Sequence, residues 1–317
     1  MVKIPASPVE RLSLEAIRHL DVALDLAAGP RHPASTLKPG TTSANQIAVA
    51  GEAGYMFIAN GANQWERQYA GDVPVPPAWI EGWVKVTDSR RAEAQGRGVM
   101  LRQMVVPEKQ AVYFERRWPN VADPGAKRPL RILQANLPGD ALLYPDAELR
   151  AEKSRAPTYF RHNSHWTPSG CLVALGTILA GVAPAMTLNS ITFSCAREAL
   201  QQDLSAHMFE PAPFEERLTL VPAGEVFLDN KQYETTGRVT GSSYGVRNPA
   251  APDPRKLILF GDSYAYDEGL AAALSAVFSE VVFIWSKAVL WDQVTAFGSE
   301  VVVWQSAERF LATLPQS

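Results

Sequence analysis

The apolar run Leu257-Ile258-Leu259-Phe260 breaks at Gly261-Asp262-Ser263, and from there strand-like and helix-like stretches alternate to the end of the chain. No other feature restricts the fold as much. Near-continuous apolar runs mark strands buried on both faces, and parallel neighbours need a crossover helix between them. We read a strand over 256–260, a turn at Gly261, a helix to 278, a strand over 281–285, a helix over 289–297, a strand over 300–304 and a terminal helix. That alternation predicts an α/β fold with a parallel sheet flanked by helices.

The preceding chain supports the same class. A strand over 55–58, a helix over 77–95 and a strand over 99–106 open the pattern. Helices over 130–137 and 146–153 follow, with a brief strand over 141–144 between them. Thr167 reads as an N-cap with Pro168 at the first helical position, ahead of Leu172, Leu175 and Leu179 at helical spacing. Strand-like pieces over 218–239, broken by Pro222, Gly224 and Asp229-Asn230, predict a small β insertion at about 215–245. At the N-terminus an amphipathic helix over 13–28 precedes a Pro-, Gly- and Ser-rich stretch over 29–45 that reads as a linker. The expected division is therefore 1–45 (helix and linker) and 46–317 (folded unit).

Composition removes several function classes. Thirty basic and 33 acidic residues give a net charge of −3, so no general field favours a nucleic acid. Cys171 and Cys195 form no CxxC pair. Among the five histidines only His162 and His165 are close, without HExxH, so neither a metal nor a cofactor is expected. Charged residues from Glu10 to Asp25 interrupt any signal-peptide core, and no apolar run is long enough for a membrane span. The expected location is cytoplasmic, or periplasmic if a leader has been removed.

Ser263 should stand at the carboxyl end of a strand and the start of a helix, where open parallel sheets bind ligands. Gly261 permits the turn, and helix-start amides can receive an oxyanion. A serine there is more often only a helix cap, so a nucleophile needs a base. No histidine follows Ser263, which rules out the order Ser, acid, His. The upstream candidate lies in Arg161-His162-Asn163-Ser164-His165-Trp166: on an extended segment Asn163 and His165 share a face, and Trp166 walls the site. By the same argument His162 points away, as a surface or structural residue. Asp262, Tyr264, Trp285 and Arg309 are expected to line the site with Gly261, although packing is the commoner role for such aromatics. Arg90, Arg91 and Arg97 read as a solvated helix face, and Cys171 as core packing.

With these motifs in that order, the chain resembles the alginate O-acetyltransferase group of SGNH hydrolase-like proteins, the AlgX and AlgJ type. There an Asp-x-His-Trp-type motif precedes Gly-Asp-Ser, the reverse of the usual SGNH order. The likeness runs over about 51–314 and takes in Gly54-Tyr55-Met56-Phe57-Ile58 with Asn63, Val105-Val106-Pro107-Glu108-Lys109 with Val112-Tyr113, Val301-Val302-Val303, and Glu308-Arg309-Phe310. It implies an SGNH hydrolase-like fold with circularly permuted motif order. Ser263 would be acylated and then deacylated, His165 would be general base and acid, and residue 163 would orient His165. It also implies an acyl donor, a carbohydrate acceptor, polysaccharide-assembly proteins as partners, and export. A sugar hydroxyl as acceptor makes an O-acetyltransferase; water makes an acetylesterase.

Position 163 departs from that pattern, because it is Asn where the motif has Asp. An amide oxygen accepts the imidazole N–H but does not balance imidazolium charge. In the Ser-His-Asp triad of the serine proteases, replacing the acid by its amide costs about 10⁴ in kcat. Three outcomes stay open: Asn163 suffices, another acid such as Asp262 or Asp267 approaches His165, or the site binds glycans without turnover.

Overall fold

The computed structural model describes residues 8–119, 125–230, 243–266 and 268–314. Among them the strands are β1 (Glu10–Ser13), β2 (Ala48–Ala50), β3 (Met56–Ile58), β4 (Met100–Val106), β5 (Thr192–Gln201), β6 (Phe214–Leu220), β7 (Glu225–Asn230), β8 (Ser243–Arg247), β9 (Asp253–Gly261), β10 (Phe278–Trp285) and β11 (Val301–Ala307). The main sheet has the order β4-β11-β9-β10-β8-β7. Its first four strands are parallel, and β8 and β7 add antiparallel at one edge. The protein has the expected α/β architecture, a mostly parallel sheet between helices.

Both faces of the central strands are covered, which is why their sequences are apolar without alternation. Leu257, Leu259, Val281, Phe283, Val301 and Val303 face a core that includes Leu172, Leu175, Ile178 and Leu179 of the helix Pro168–Val182. Their neighbours Ile258, Phe260, Val282, Ile284, Val302 and Trp304 pack with Trp83, Leu130 and Leu133 on the opposite side. Thr167 caps the helix Pro168–Val182, its hydroxyl accepting from Gly170 N–H at 3.2 Å. Asp21, buried on the helix Leu14–Ala28, accepts from Ser169 N–H at 2.8 Å and joins the two helices. Burial pushes its carboxyl up to about 7.

Several elements differ from the sequence reading. The helix expected from 263 to 278 is two short ones, Ser263–Tyr266 and Leu270–Ser275, and Phe278 already belongs to β10. The break falls at Gly269, whose φ of 87° and close approach to Leu220 leave no room for a side chain: a Cβ would lie 2.7 Å from Leu220 Cβ. The strand expected over 141–144 is reduced to one bridge, Met104 to Leu143. In the region of the expected β insertion, β6 joins an antiparallel sheet β1-β5-β6, while β7 and β8 extend the main sheet; 231–242 lie outside the described residues. Arg90 is buried rather than solvated. It donates to Lys287 O at 3.0 Å and Gln103 Oε1 at 3.3 Å and lies 4.5 Å from the Trp304 ring centroid, whereas Arg91 is half-buried and Arg97 exposed.

Candidate active site

The turn that carries Ser263 is fastened from below. Strand β9 ends at Gly261, where a Cβ would meet Gln305 Oε1 at 2.5 Å, so a side chain here would push aside the Gln305 amide that accepts from Asp262 N–H at 3.1 Å. Asp262 then holds the turn. Its Oδ1 accepts from Tyr264 N–H at 3.1 Å and Gln305 Nε2 at 2.9 Å, and its Oδ2 accepts from Ala307 N–H at 2.7 Å. Asp262 is thus committed to backbone and Gln305, away from the role of a relocated catalytic acid. Ser263 is left at the carboxyl rim of the parallel strands, at the start of a helical turn.

The histidine-bearing loop reaches the same rim from 98 residues upstream. It is a tight bend over 161–165, not the extended segment expected, closed by Phe160 N–H to His165 O at 3.1 Å and by a Tyr159–Trp166 bridge. The bend brings Asn163 back onto His165, so that Asn163 Oδ1 accepts both His165 N–H at 2.9 Å and the Nδ1 side of the ring at 2.8 Å. On the opposite side of the ring, Nε2 lies 2.7 Å from Ser263 Oγ. Tyr264 OH donates to Ser164 O at 3.0 Å and its ring lies 4.6 Å from His165, which ties the loop to the serine turn.

A chain of amides fixes the direction of every proton in this line. Gln202 Nε2 donates to Leu200 O at 3.0 Å, which turns Gln202 Oε1 toward Asn163. Asn163 Nδ2 donates to that oxygen at 3.1 Å, leaving Asn163 Oδ1 for the imidazole. Nδ1 of neutral His165 therefore carries the proton, and the Nε2 lone pair accepts from the Ser263 hydroxyl. Desolvation is the main reason that the His165 pKa falls to about 3. Arg309, Arg217 and Lys109 add to the fall, while Asp203 opposes it. The ring is thus held as a neutral base across the ordinary pH range.

The remaining sequence-selected residues serve this frame. Trp166 is fully buried, donates from Nε1 to Glu268 O at 2.9 Å and packs edge-on to Tyr264 at 5.0 Å. Trp285 pairs in register with Gly261 at the end of β10 and packs against Tyr266. Arg309 is buried with its guanidinium bonded to Glu108 at 2.6 Å, so its charge is already engaged within the protein. Asp267 lies outside the described residues. The acids the structure does place near Nδ1 are Asp203, with Oδ2 at 3.6 Å, and Glu268, with Oε1 at 4.0 Å. Sequence reasoning missed both, along with Gln202, because Asp203 and Glu268 are 38 and 103 residues from His165, which leaves no linear spacing to read. Ser164 stood inside the motif, but nothing in the sequence marked its hydroxyl as a ring contact.

Of the two roles expected for His162, surface or structural, the structure gives the structural one: it is fully buried and stacks on His32 at 3.6 Å, the rings inclined by 16°. Glu215 Oε2 sits 2.9 Å from His162 Nδ1, and its Oε1 lies 3.4 Å from His32 Nε2. Among the described residues these three make a donor set close enough for a cation. The two rings are stacked face to face at 3.6 Å and nearly parallel, however, so their in-plane nitrogen lone pairs do not converge on one nearby point, as ligands of a single cation would. Burial instead lowers the His162 and His32 pKa values to about 3 and about 4 and raises Glu215 to about 7, giving neutral rings beside a readily protonated carboxyl.

Ser263, His165 and Asn163 thus stand in line at the rim of a parallel sheet, in the motif order by which the chain resembles the SGNH hydrolase-like proteins but with an amide where that motif has Asp. The chain belongs to that family in its acetyltransferase branch, since the model described as "SGNH hydrolase-like domain, acetyltransferase AlgX" matches residues 77–296, a span holding both motifs. No curated protein matches the chain. Similar solved structures include the O-acetyltransferase domain of Pseudomonas putida AlgJ, at 18% identity and TM-score 0.54, covering 85% of this chain and 93% of that one. Bacillus cereus PatB1 gives 12% and 0.55, covering 77% and 93%. A DHHW family protein from Eubacterium siraeum gives 14% and 0.57, covering 87% and 96%. At these identities the structures report the fold alone. Among the described residues no helix is long and apolar enough to cross a membrane.

Proposed function

We propose that the protein is an O-acetyltransferase that moves an acetyl group to a carbohydrate hydroxyl through an acetyl-Ser263 intermediate. The observation that carries this reading is the 2.7 Å contact between Ser263 Oγ and His165 Nε2, with Asn163 on the opposite ring nitrogen. His165 takes the hydroxyl proton as Oγ attacks the donor's carbonyl, and returns it to the departing group. The acceptor hydroxyl then gives its proton to Nε2 as it attacks the acyl carbon, the acyl–Oγ bond breaks, and Nε2 returns the proton to Ser263 Oγ. The Ser263 N–H, first in its helical turn, is the oxyanion donor we assign. The family's acetyltransferase branch and the name of the AlgJ O-acetyltransferase domain support transfer over simple hydrolysis. Polysaccharide-assembly proteins are the partners consistent with that reading.

Purified protein given an activated acetyl ester and an oligosaccharide should release the leaving group and acetylate the sugar, and Ser263→Ala should lower both by at least about 10³. Release with no sugar acetylated makes it a carbohydrate acetylesterase; no release makes the assignment wrong. Asn163 supports a second reading, a noncatalytic glycan-binding or assembly protein, because it lacks the usual negative charge. That reading expects oligosaccharide binding that survives Ser263→Ala, in a parent without turnover.

A further inference from the structure

We propose that Asp203 supplies to His165, through Ser164, the negative charge that Asn163 lacks. This rests on the acyl-transfer reading above. Ser164 Oγ stands between the two groups, 3.2 Å from His165 Nδ1 and 2.5 Å from Asp203 Oδ2. A carboxylate only accepts, so the hydroxyl proton points at Asp203, and a Ser164 lone pair is left facing the ring N–H. The Nδ1 proton is thereby shared between Asn163 Oδ1 at 2.8 Å and Ser164 Oγ, with Asp203 Oδ2 itself 3.6 Å away. Asp203 is anchored in that position by two backbone donors, Ser164 N–H and Leu204 N–H, each 2.7 Å from Oδ1.

The other charged groups around the ring are already engaged. Glu268 Oε1 lies 4.0 Å from Nδ1 but is 3.0 Å from Arg217, and Arg309 is paired with Glu108. Lys109 donates to Met56 O and Arg161 O. No lysine or arginine pairs with Asp203 among the described residues, so its charge is directed to His165. When Nε2 takes the Ser263 proton, the imidazolium keeps its Nδ1 proton, and none passes to Asp203. Asp203 is a positioning residue: it acts through His165 and Ser164 and touches no reacting atom.

Because the Asp203 side chain is 39% exposed and one hydroxyl removed, solvent screens it more than a buried triad acid. We therefore expect Asp203→Asn to lower kcat about 10–50-fold, against about 10⁴ for the buried acid of a serine-protease triad, with little change in KM. Asp203→Glu should restore part of the loss. The readout independent of turnover is the His165 imidazole titration, followed by NMR in parent, Asp203→Asn and Ser164→Ala. Loss of the carboxylate should lower the ring pKa by about 0.5–1 unit, and loss of the hydroxyl should lower it less. An unchanged titration in Asp203→Asn overturns the proposal, whether or not the parent turns over. A parent that titrates as expected but releases no acetate overturns the acyl-transfer reading instead and leaves this electrostatic assignment standing.

Discussion

His162 and His165 lie three residues apart on one bend, are both buried, and are both held below the ordinary histidine pKa. Their surroundings give them opposite roles. His162 is closed in by a second imidazole and a carboxyl, with no hydroxyl or thiol bonded to either nitrogen among the described residues. His165 has an amide oxygen on one nitrogen and a serine hydroxyl on the other, at the rim of the sheet. Burial and a shifted pKa therefore do not by themselves mark a catalytic histidine. The group facing each ring nitrogen does.

The sharpest way to break the comparison is to replace each ring in turn. His165→Gln should cut acetyl-ester turnover by about 10³ or more while leaving the midpoint of thermal unfolding within a few degrees. His162→Gln should do the reverse, costing about 2–3 kcal/mol of stability by leaving Glu215 and the His32 stack without their partner, with kcat of the folded protein within about threefold. Similar turnover losses in the two variants, at similar stability, would remove the distinction.

The second expectation is a pH profile. The reaction needs neutral His165, and burial has lowered its pKa to about 3, so kcat/KM should stay level as pH falls through 6.5 and decline only well below 5. An acid limb near 6.5 in the parent would place the ring in water and contradict the buried geometry.

The smallest effect concerns the support beneath the site. Asp21 holds its proton up to about 7 in the folded protein but releases it near the usual 3.8 when unfolded. The folded state thus binds more protons between those values, and the contribution of Asp21 to stability must fall as pH rises through that window. Urea unfolding at pH 5 and pH 8 should show Asp21→Asn losing less stability than the parent over that interval, by about 1–3 kcal/mol. Equal losses would mean that Asp21 is ionised throughout.

What could be read in advance follows from how local each signal is. The β9, β10 and β11 runs are apolar on both faces, and Thr167-Pro168 is a self-contained helix start, so the parallel sheet and the helix after the histidine loop were legible. Gly261, Asp262 and Ser263 are consecutive, so that turn was legible too. Strand β5 was not, because its outer half alternates exposed and half-buried positions through Arg197, Glu198 and Gln201. The pairing of Asn163 with His165 was anticipated from an extended chain, yet it arises from a bend in which one side chain accepts from both backbone and ring. Gln202, Asp203 and Glu268 were invisible, since only the folded chain brings them to His165.

The most direct test of the central claim is to trap the intermediate. The protein is mixed with an activated acetyl ester, quenched in acid within milliseconds to seconds, digested, and analysed by mass spectrometry. The account predicts a single acetyl group on the peptide containing Ser263, absent from Ser263→Ala, greatly slowed in His165→Gln, and discharged when carbohydrate acceptor is added before the quench. Acetyl ester turned over with that peptide unmodified at every time point, or an equal adduct elsewhere in Ser263→Ala, would contradict it.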